Sequence, residues 1–133
     1  MFVIICFLAS CAPREKLISR AWKFKDVEFG NKTSDSTTLA FYDNARYQMK
    51  TNLDFTMEAD STYTIMQLKE RRAIRGKWWF SADKKKMYTQ TELGLTECKV
   101  IKLTKKALVY ETTEPSGKTV TMICVAKEPA GSK

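Results

Sequence analysis

The groups in this 133-residue chain that could do covalent or acid–base chemistry are four thiols and fifteen carboxylates; there is no histidine. Without imidazole, the usual Ser/His/Asp and Cys/His nucleophilic arrangements and the commonest nitrogen ligand for metals are excluded. The carboxylates Asp26, Glu28, Asp54, Glu58, Asp60, Glu92, Glu97 and Glu111 occur singly, and the spacing pairs none of them on one inward face. General acid–base work needs such a pair in reach of one substrate, so an enzyme is not expected. The cysteines are Cys6, Cys11, Cys98 and Cys124. None has the C-x-x-C spacing of a zinc or dithiol site, so neither a metal nor a cofactor is expected. Two kinds of chemistry remain. A thiol can accept a covalent group, and the rings of Trp22, Phe24, Tyr63, Trp78, Phe80 and Tyr110 can surround a small apolar molecule.

The thiol in question is Cys11. It follows the apolar run 2–9, which is far shorter than the ~20 residues a transmembrane helix needs but has the length of the apolar core of a signal peptide. Leu8-Ala9-Ser10-Cys11 resembles the lipobox of bacterial lipoproteins, a leucine and two small residues before a cysteine. The resemblance implies cleavage before Cys11, attachment of lipid to its sulfur, and a domain held on a membrane by that lipid. Residues 1–10 are then a signal peptide and 11–16 a lipidated cysteine with a polar tether. No acidic residue follows at Ala12 or Pro13, which favours the periplasmic side of a bacterial cell envelope. The alternative for 2–9 is a buried N-terminal strand.

The elements that must position the rings read as strands. Arg75-Gly76-Lys77-Trp78-Trp79-Phe80 and the residues after Ser81-Ala82-Asp83-Lys84 form a hairpin. Trp78 and Phe80, and across the turn Met87 and Thr89, alternate with polar positions, the period-two pattern of a half-buried strand. Before it, a short helical turn near Leu17 leads into a strand from Trp22, with Trp22 and Phe24 on one face. The cluster 30–36 is a loop. Leu39, Tyr42, Ala45, Arg46 and Met49 recur at helical spacing over 37–50, with Asp35 or Ser36 as cap. Strands follow at 52–58 and 62–67, then 75–80 and 85–92, with 68–74 extending a hairpin or looping out. Leu93-Gly94-Leu95 is expected to turn. A strand at 98–103 places Ile101 and Leu103 together, and one at 107–113 places Leu108 and Tyr110 together. Glu114-Pro115-Ser116-Gly117 turns, and 119–126 is apolar on both faces. Residues 128–133 form a disordered tail. Eight antiparallel strands in hairpin order remove their exposed edges by closing. The expected fold is therefore all-β, an eight-stranded antiparallel up-and-down β-barrel over 17–127 with one short helix.

Trp22 after Leu17-Ile18, Gly76-Lys77-Trp78 with the turn Ser81 to Met87, and Phe55 with Asp60-Ser61-Thr62-Tyr63 together resemble the family of bacterial lipocalin-like lipoproteins. Arg20 stands where that family's first strand has a glycine. The resemblance implies an eight-stranded barrel and, in better-known members, binding of a small apolar ligand.

An eight-stranded barrel is just wide enough to be filled by side chains or to hold one small ligand. Trp22, Phe24, Trp78 and Phe80 therefore also read as core. Tyr63 and Tyr110 stand out as ligand candidates, because each hydroxyl needs a partner. Trp79 points outward, either to a partner or membrane or beneath the 37–50 helix. The net charge is +8. Lys84-Lys85-Lys86 and the group Lys69, Arg71, Arg72, Arg75 and Lys77 suit either anionic lipid or solvated strand edges. No nucleic-acid motif is present. No Cys98–Cys124 disulfide is expected, because a meander puts the 107–113 strand between them and neighbouring strands lie about 4.8 Å apart. The functional expectation is a monomeric, lipid-anchored module that binds a small apolar or amphipathic molecule inside the barrel. The alternative is a packed barrel acting on a protein through its outer surface.

Overall fold

The computed structural model describes residues 13–30, 35–113 and 117–127. Residues 1–12 with Cys11, residues 31–34 of the expected loop, Glu114-Pro115-Ser116 of the expected turn and the tail 128–133 lie outside them. Helix α1 (Arg14–Ile18) is followed by β1 (Ala21–Phe29), α2 (Ser36–Asn52), β2 (Leu53–Met57) and β3 (Thr62–Gln67). Then come β4 (Arg72–Phe80), β5 (Lys86–Thr91), β6 (Gly94–Leu103), β7 (Ala107–Thr113) and β8 (Thr119–Ala126). Each strand pairs antiparallel with the next, and β8 pairs with β1 from Trp22↔Ala126 to Phe29↔Val120, closing the barrel. The eight-stranded up-and-down barrel is the fold expected from the sequence.

Two helices are present rather than one short one. The segment read as tether is helical from Arg14. Trp22 fixes α1: its indole Nε1 donates to the Ile18 carbonyl at 2.9 Å, and both residues are fully buried. The second helix, 17 residues long, is capped by Asp35, whose side chain accepts from the Thr38 amide. Its barrel-facing side is narrower than expected. Tyr42 stacks on Phe29 at 4.2 Å, Arg46 bonds the Val27 carbonyl, and Met49 packs on the core, whereas Leu39 is exposed. At its end, Asn52 accepts from the Lys69 amide, tying α2 to the β3–β4 turn.

Two bulges adjust the alternation. One lies between Phe24 and Asp26 against β8, the other between Val100 and Lys102 against β7. An extra residue on one strand moves everything after it to the opposite face. Hence Cys98 and Val100 are buried, Ile101 is the extra residue and stands 49% exposed, and Leu103 returns to the core. The expected inward pairing of Ile101 with Leu103 is thus corrected. The Leu93-Gly94-Leu95 turn is also corrected. Thr91 pairs with Gly94, so Glu92-Leu93 alone makes the turn, and Gly94 takes a φ of 130° that suits glycine.

The barrel has two unlike ends. At one lie α1 and the β2–β3, β4–β5 and β6–β7 turns, and the interior there is packed solid by Ile18, Trp22, Met57 and Trp78. Trp78 Nε1 donates to the Glu58 carbonyl of the β2–β3 turn at 2.8 Å. At the other end lie α2, the β3–β4 turn and the tight β5–β6 turn. Trp79 is on the outer face of β4, stacked on Tyr88 of β5 and 39% exposed. Helix α2 sits against β1 and β2 instead, so it does not cover Trp79.

Candidate ligand site

A cavity of about 250 Å³ enters the barrel from the end opposite α1. Strand register builds it. Phe55, Tyr63, Met87, Cys98 and Tyr110 lie on the inward phase of β2, β3, β5, β6 and β7, near mid-barrel. Phe55 forms the floor, 5.2 Å from Phe24, and carries Tyr63 at 6.0 Å and Tyr110 edge-on at 6.4 Å. Gly76 makes room for this arrangement: it is paired with Tyr63 and has no side chain to compete for the interior.

Tyr63 and Tyr110 are 8% and 7% exposed. Neither hydroxyl has a hydrogen-bond partner among the described residues, yet neither oxygen is sealed from the cavity. Burial pushes both phenols well above their ordinary range, with weaker contributions from the neighbouring thiols. They are therefore neutral donors and acceptors at any physiological pH. Burial likewise pushes the Cys98 thiol up to about 12, and Cys124 higher still. Such thiols are poor nucleophiles. Both cysteines are free and buried. Cys124 lies opposite Leu108 of β7.

Above the phenols the lining turns polar without becoming charged. Thr89, Thr91, Thr96 and Thr112 form a collar, and Leu93 and Leu95 stand exposed at the rim. No lining side chain is ionisable except the tyrosines and Cys98. An ionised group would meet no counter-charge inside, at a cost of several kcal/mol. The arrangement suits an uncharged molecule with an apolar body and one hydrogen-bonding group. A dry cavity of roughly 150 Å³ takes a benzene ring, so this one has room for a single substituted ring or a short branched chain.

Of the six rings proposed from the sequence, the fold brings only Tyr63 and Tyr110 to the cavity. Trp22 and Trp78 plug the opposite end, and Phe24 packs on Phe55 without lining the cavity. Phe80 packs edge-on to Trp78 at 5.7 Å and carries the Lys84 ammonium over its face. Trp22, Phe24 and Trp78 are core, Phe80 is partly buried against it, and none of the four lines this cavity. The threonine collar was missed. Its signal was available: hydroxyl-bearing residues on the inward phase of β5, where a packed barrel has aliphatic side chains. Among the described residues, no three Cys, Asp or Glu converge as a metal site. No protein-family model matches the chain, and comparison with curated proteins gave no match.

Proposed function

We propose that the barrel is a lipocalin-like binding module for a small, uncharged, mainly apolar molecule, held at a bacterial membrane by lipid on Cys11. The observation that carries the binding reading is the pair of buried phenols whose hydroxyls border a cavity and have no protein partner. A ligand carbonyl or hydroxyl reaching either phenol gains a hydrogen bond worth about 1 kcal/mol. The anchor reading rests on Leu8-Ala9-Ser10-Cys11 after an apolar run. The alternative, a packed barrel working through its outer wall, gains no support from an interior left open at mid-barrel.

Acetophenone and ethylbenzene are similar in size, and only the first accepts a hydrogen bond. Binding of both is measured by calorimetry or ligand-observed NMR on the wild-type chain, Tyr63→Phe and Tyr110→Phe. At least one variant should weaken acetophenone about fivefold, the worth of one hydrogen bond, and leave ethylbenzene unchanged. Mass spectrometry of an organic extract of natively purified protein gives the natural occupant. No binding of either probe together with an empty extract would overturn the cavity reading. For the anchor, Cys11→Ala should leave the membrane fraction; its retention there would overturn lipidation at Cys11.

A further inference from the structure

The two ends of the barrel differ in charge as well as in packing. At the α1 end, the β4–β5 turn and its flank carry Lys84, Lys85 and Lys86. The end of β6 and its turn carry Lys102, Lys105 and Lys106, and Arg14, Lys16 and Arg20 lie on and beside α1. Facing them are Glu15, Glu58, Asp60 and Asp83. Lys84 is paired with Glu15, and Asp83 is occupied by Ser81 and the Lys85 amide. Lys16, Lys85, Lys105 and Lys106 are exposed and have no ion pair among the described residues. Among the described residues Arg20 bonds only backbone, through Lys105 and Lys16 carbonyls, and its Nε, like Arg14 Nη1, has no acceptor there. The cavity end is closer to balance: Lys50, Lys69, Arg71 and Lys118 have no ion pair among the described residues there, but Asp35, Asp43, Glu70 and Glu92 share that end. There Arg72 pairs with Glu92, Arg46 with Asp26 and Asp43, and Glu70 bonds Asn52.

The chain also leaves the barrel at the basic end. Cys11 precedes Pro13 by two residues, which span at most about 7 Å. Just behind this end, the outer wall presents Trp79 stacked on Tyr88, together with the bulged-out Ile101. Tryptophan and tyrosine favour the level of lipid headgroups.

From this we propose that the α1 end is a docking surface for an anionic phospholipid bilayer. The barrel stands on its basic end, and the cavity opens away from the membrane. A lipid on Cys11 would place this same end on the bilayer. Charge alone makes the surface, however, so it is tested without the anchor, and failure of lipidation leaves it standing. The cavity would then exchange its occupant with the aqueous side rather than with the bilayer.

The test uses the full chain with Cys6→Ser and Cys11→Ser, and vesicles of phosphatidylcholine alone or mixed with phosphatidylglycerol. The apolar run 2–9 acts on both kinds, so the ratio of the two partition coefficients reports the basic end. Each basic residue at an anionic surface is worth about fivefold. Combined Lys85→Gln, Lys105→Gln and Lys106→Gln should lower the ratio on the order of 100-fold, and salt should lower it in the unaltered chain. Orientation is read by an environment-sensitive thiol dye at Lys106→Cys or at Leu93→Cys, with spin-labelled lipid as quencher. The buried Cys98 and Cys124 do not compete for dye. Quenching at position 106 and none at 93 is expected. Equal partition into both vesicles, or quenching at 93 instead, would overturn the proposal. So would tighter binding to duplex DNA than to the anionic vesicles at matched phosphate and salt.

Discussion

Replacing Gly76 by alanine should destabilise the barrel far more than its position in a regular strand suggests. Gly76 pairs with Tyr63 of β3 on one side and Thr91 of β5 on the other. A Cβ built there would lie 1.8 Å from the Gln90 carbonyl oxygen and 2.9 Å from Thr91 Cγ2. The oxygen belongs to the backbone, so no rotamer change can relieve the contact. Restoring an ordinary contact requires moving β4 from β5 by more than 1 Å. A backbone hydrogen bond of about 2.9 Å does not survive that. Two lost bonds at about 1 kcal/mol each and overpacking of about 1–3 kcal/mol give roughly 3–5 kcal/mol. Domains hold about 5–15 kcal/mol in total, so Gly76→Ala should lower the urea midpoint by about a fifth or more, followed by tryptophan emission. Gly94→Ala is the control. Its Cβ meets nothing within 4 Å, but φ is 130°, so only backbone strain of about 1–2 kcal/mol applies. A Gly76→Ala midpoint within 0.5 kcal/mol of wild type, a bound set by typical surface substitutions, would refute the close approach of β4 to β5. It would also remove the reason that Tyr63 has room over the cavity.

Other outcomes follow from the core. Trp22→Phe removes the donor to Ile18 and should cost about 3 kcal/mol from the lost bond and the void; α1 amides should then exchange faster in hydrogen-exchange NMR, and unchanged protection would mean that α1 is held otherwise. Cys98 and Cys124 should stay unreactive to an aromatic disulfide reagent in native protein at pH 8 and react fully in denaturant, two thiols for residues 98 and 124; a resistant pair would indicate a disulfide and break the meander order. The Cys98 thiol rises from an ordinary value near 9 to about 12 on folding. The folded state therefore holds the proton more tightly, and this stability is complete below pH 9 and lost as pH rises toward 12. The decline is about 1.4 kcal/mol per pH unit for such a group, with Cys124, Tyr63 and Tyr110 acting in the same direction. Urea midpoints measured from pH 7 to 10.5 should stay flat and then fall, and a flat curve throughout would mean the cavity end is hydrated enough to ionise these groups.

What the sequence made legible is phase, and what it hid is height along the barrel axis. Period-two alternation placed Trp22, Phe24, Tyr63, Trp78 and Tyr110 on the inward side, and the structure keeps them there. Alternation cannot distinguish Trp22, which plugs the α1 end, from Tyr63, which borders the cavity, because both answer to the same rule. Height is set by register between strands, and register depends on turn lengths and bulges. Reading Leu93-Gly94-Leu95 as the turn hid the strand beginning at Gly94 and with it Thr96 of the collar. The bulge at Ile101 leaves no mark in the hydrophobic pattern except an isoleucine where the outer phase should be polar. Polarity on the inward phase is the signal that survives these errors. Thr89, Thr91 and Thr112 share the inward side with Met87 and Tyr110, and each lies further from α1 along its strand than Met87 or Tyr110 does. A packed interior has no need of hydroxyls there, since each costs free energy unless it is bonded. Trp78 shows the contrast: its polar atom is buried and already paired with the Glu58 carbonyl. Inward rings with a bonded polar atom mark the plug, and inward rings with an unbonded one mark the cavity.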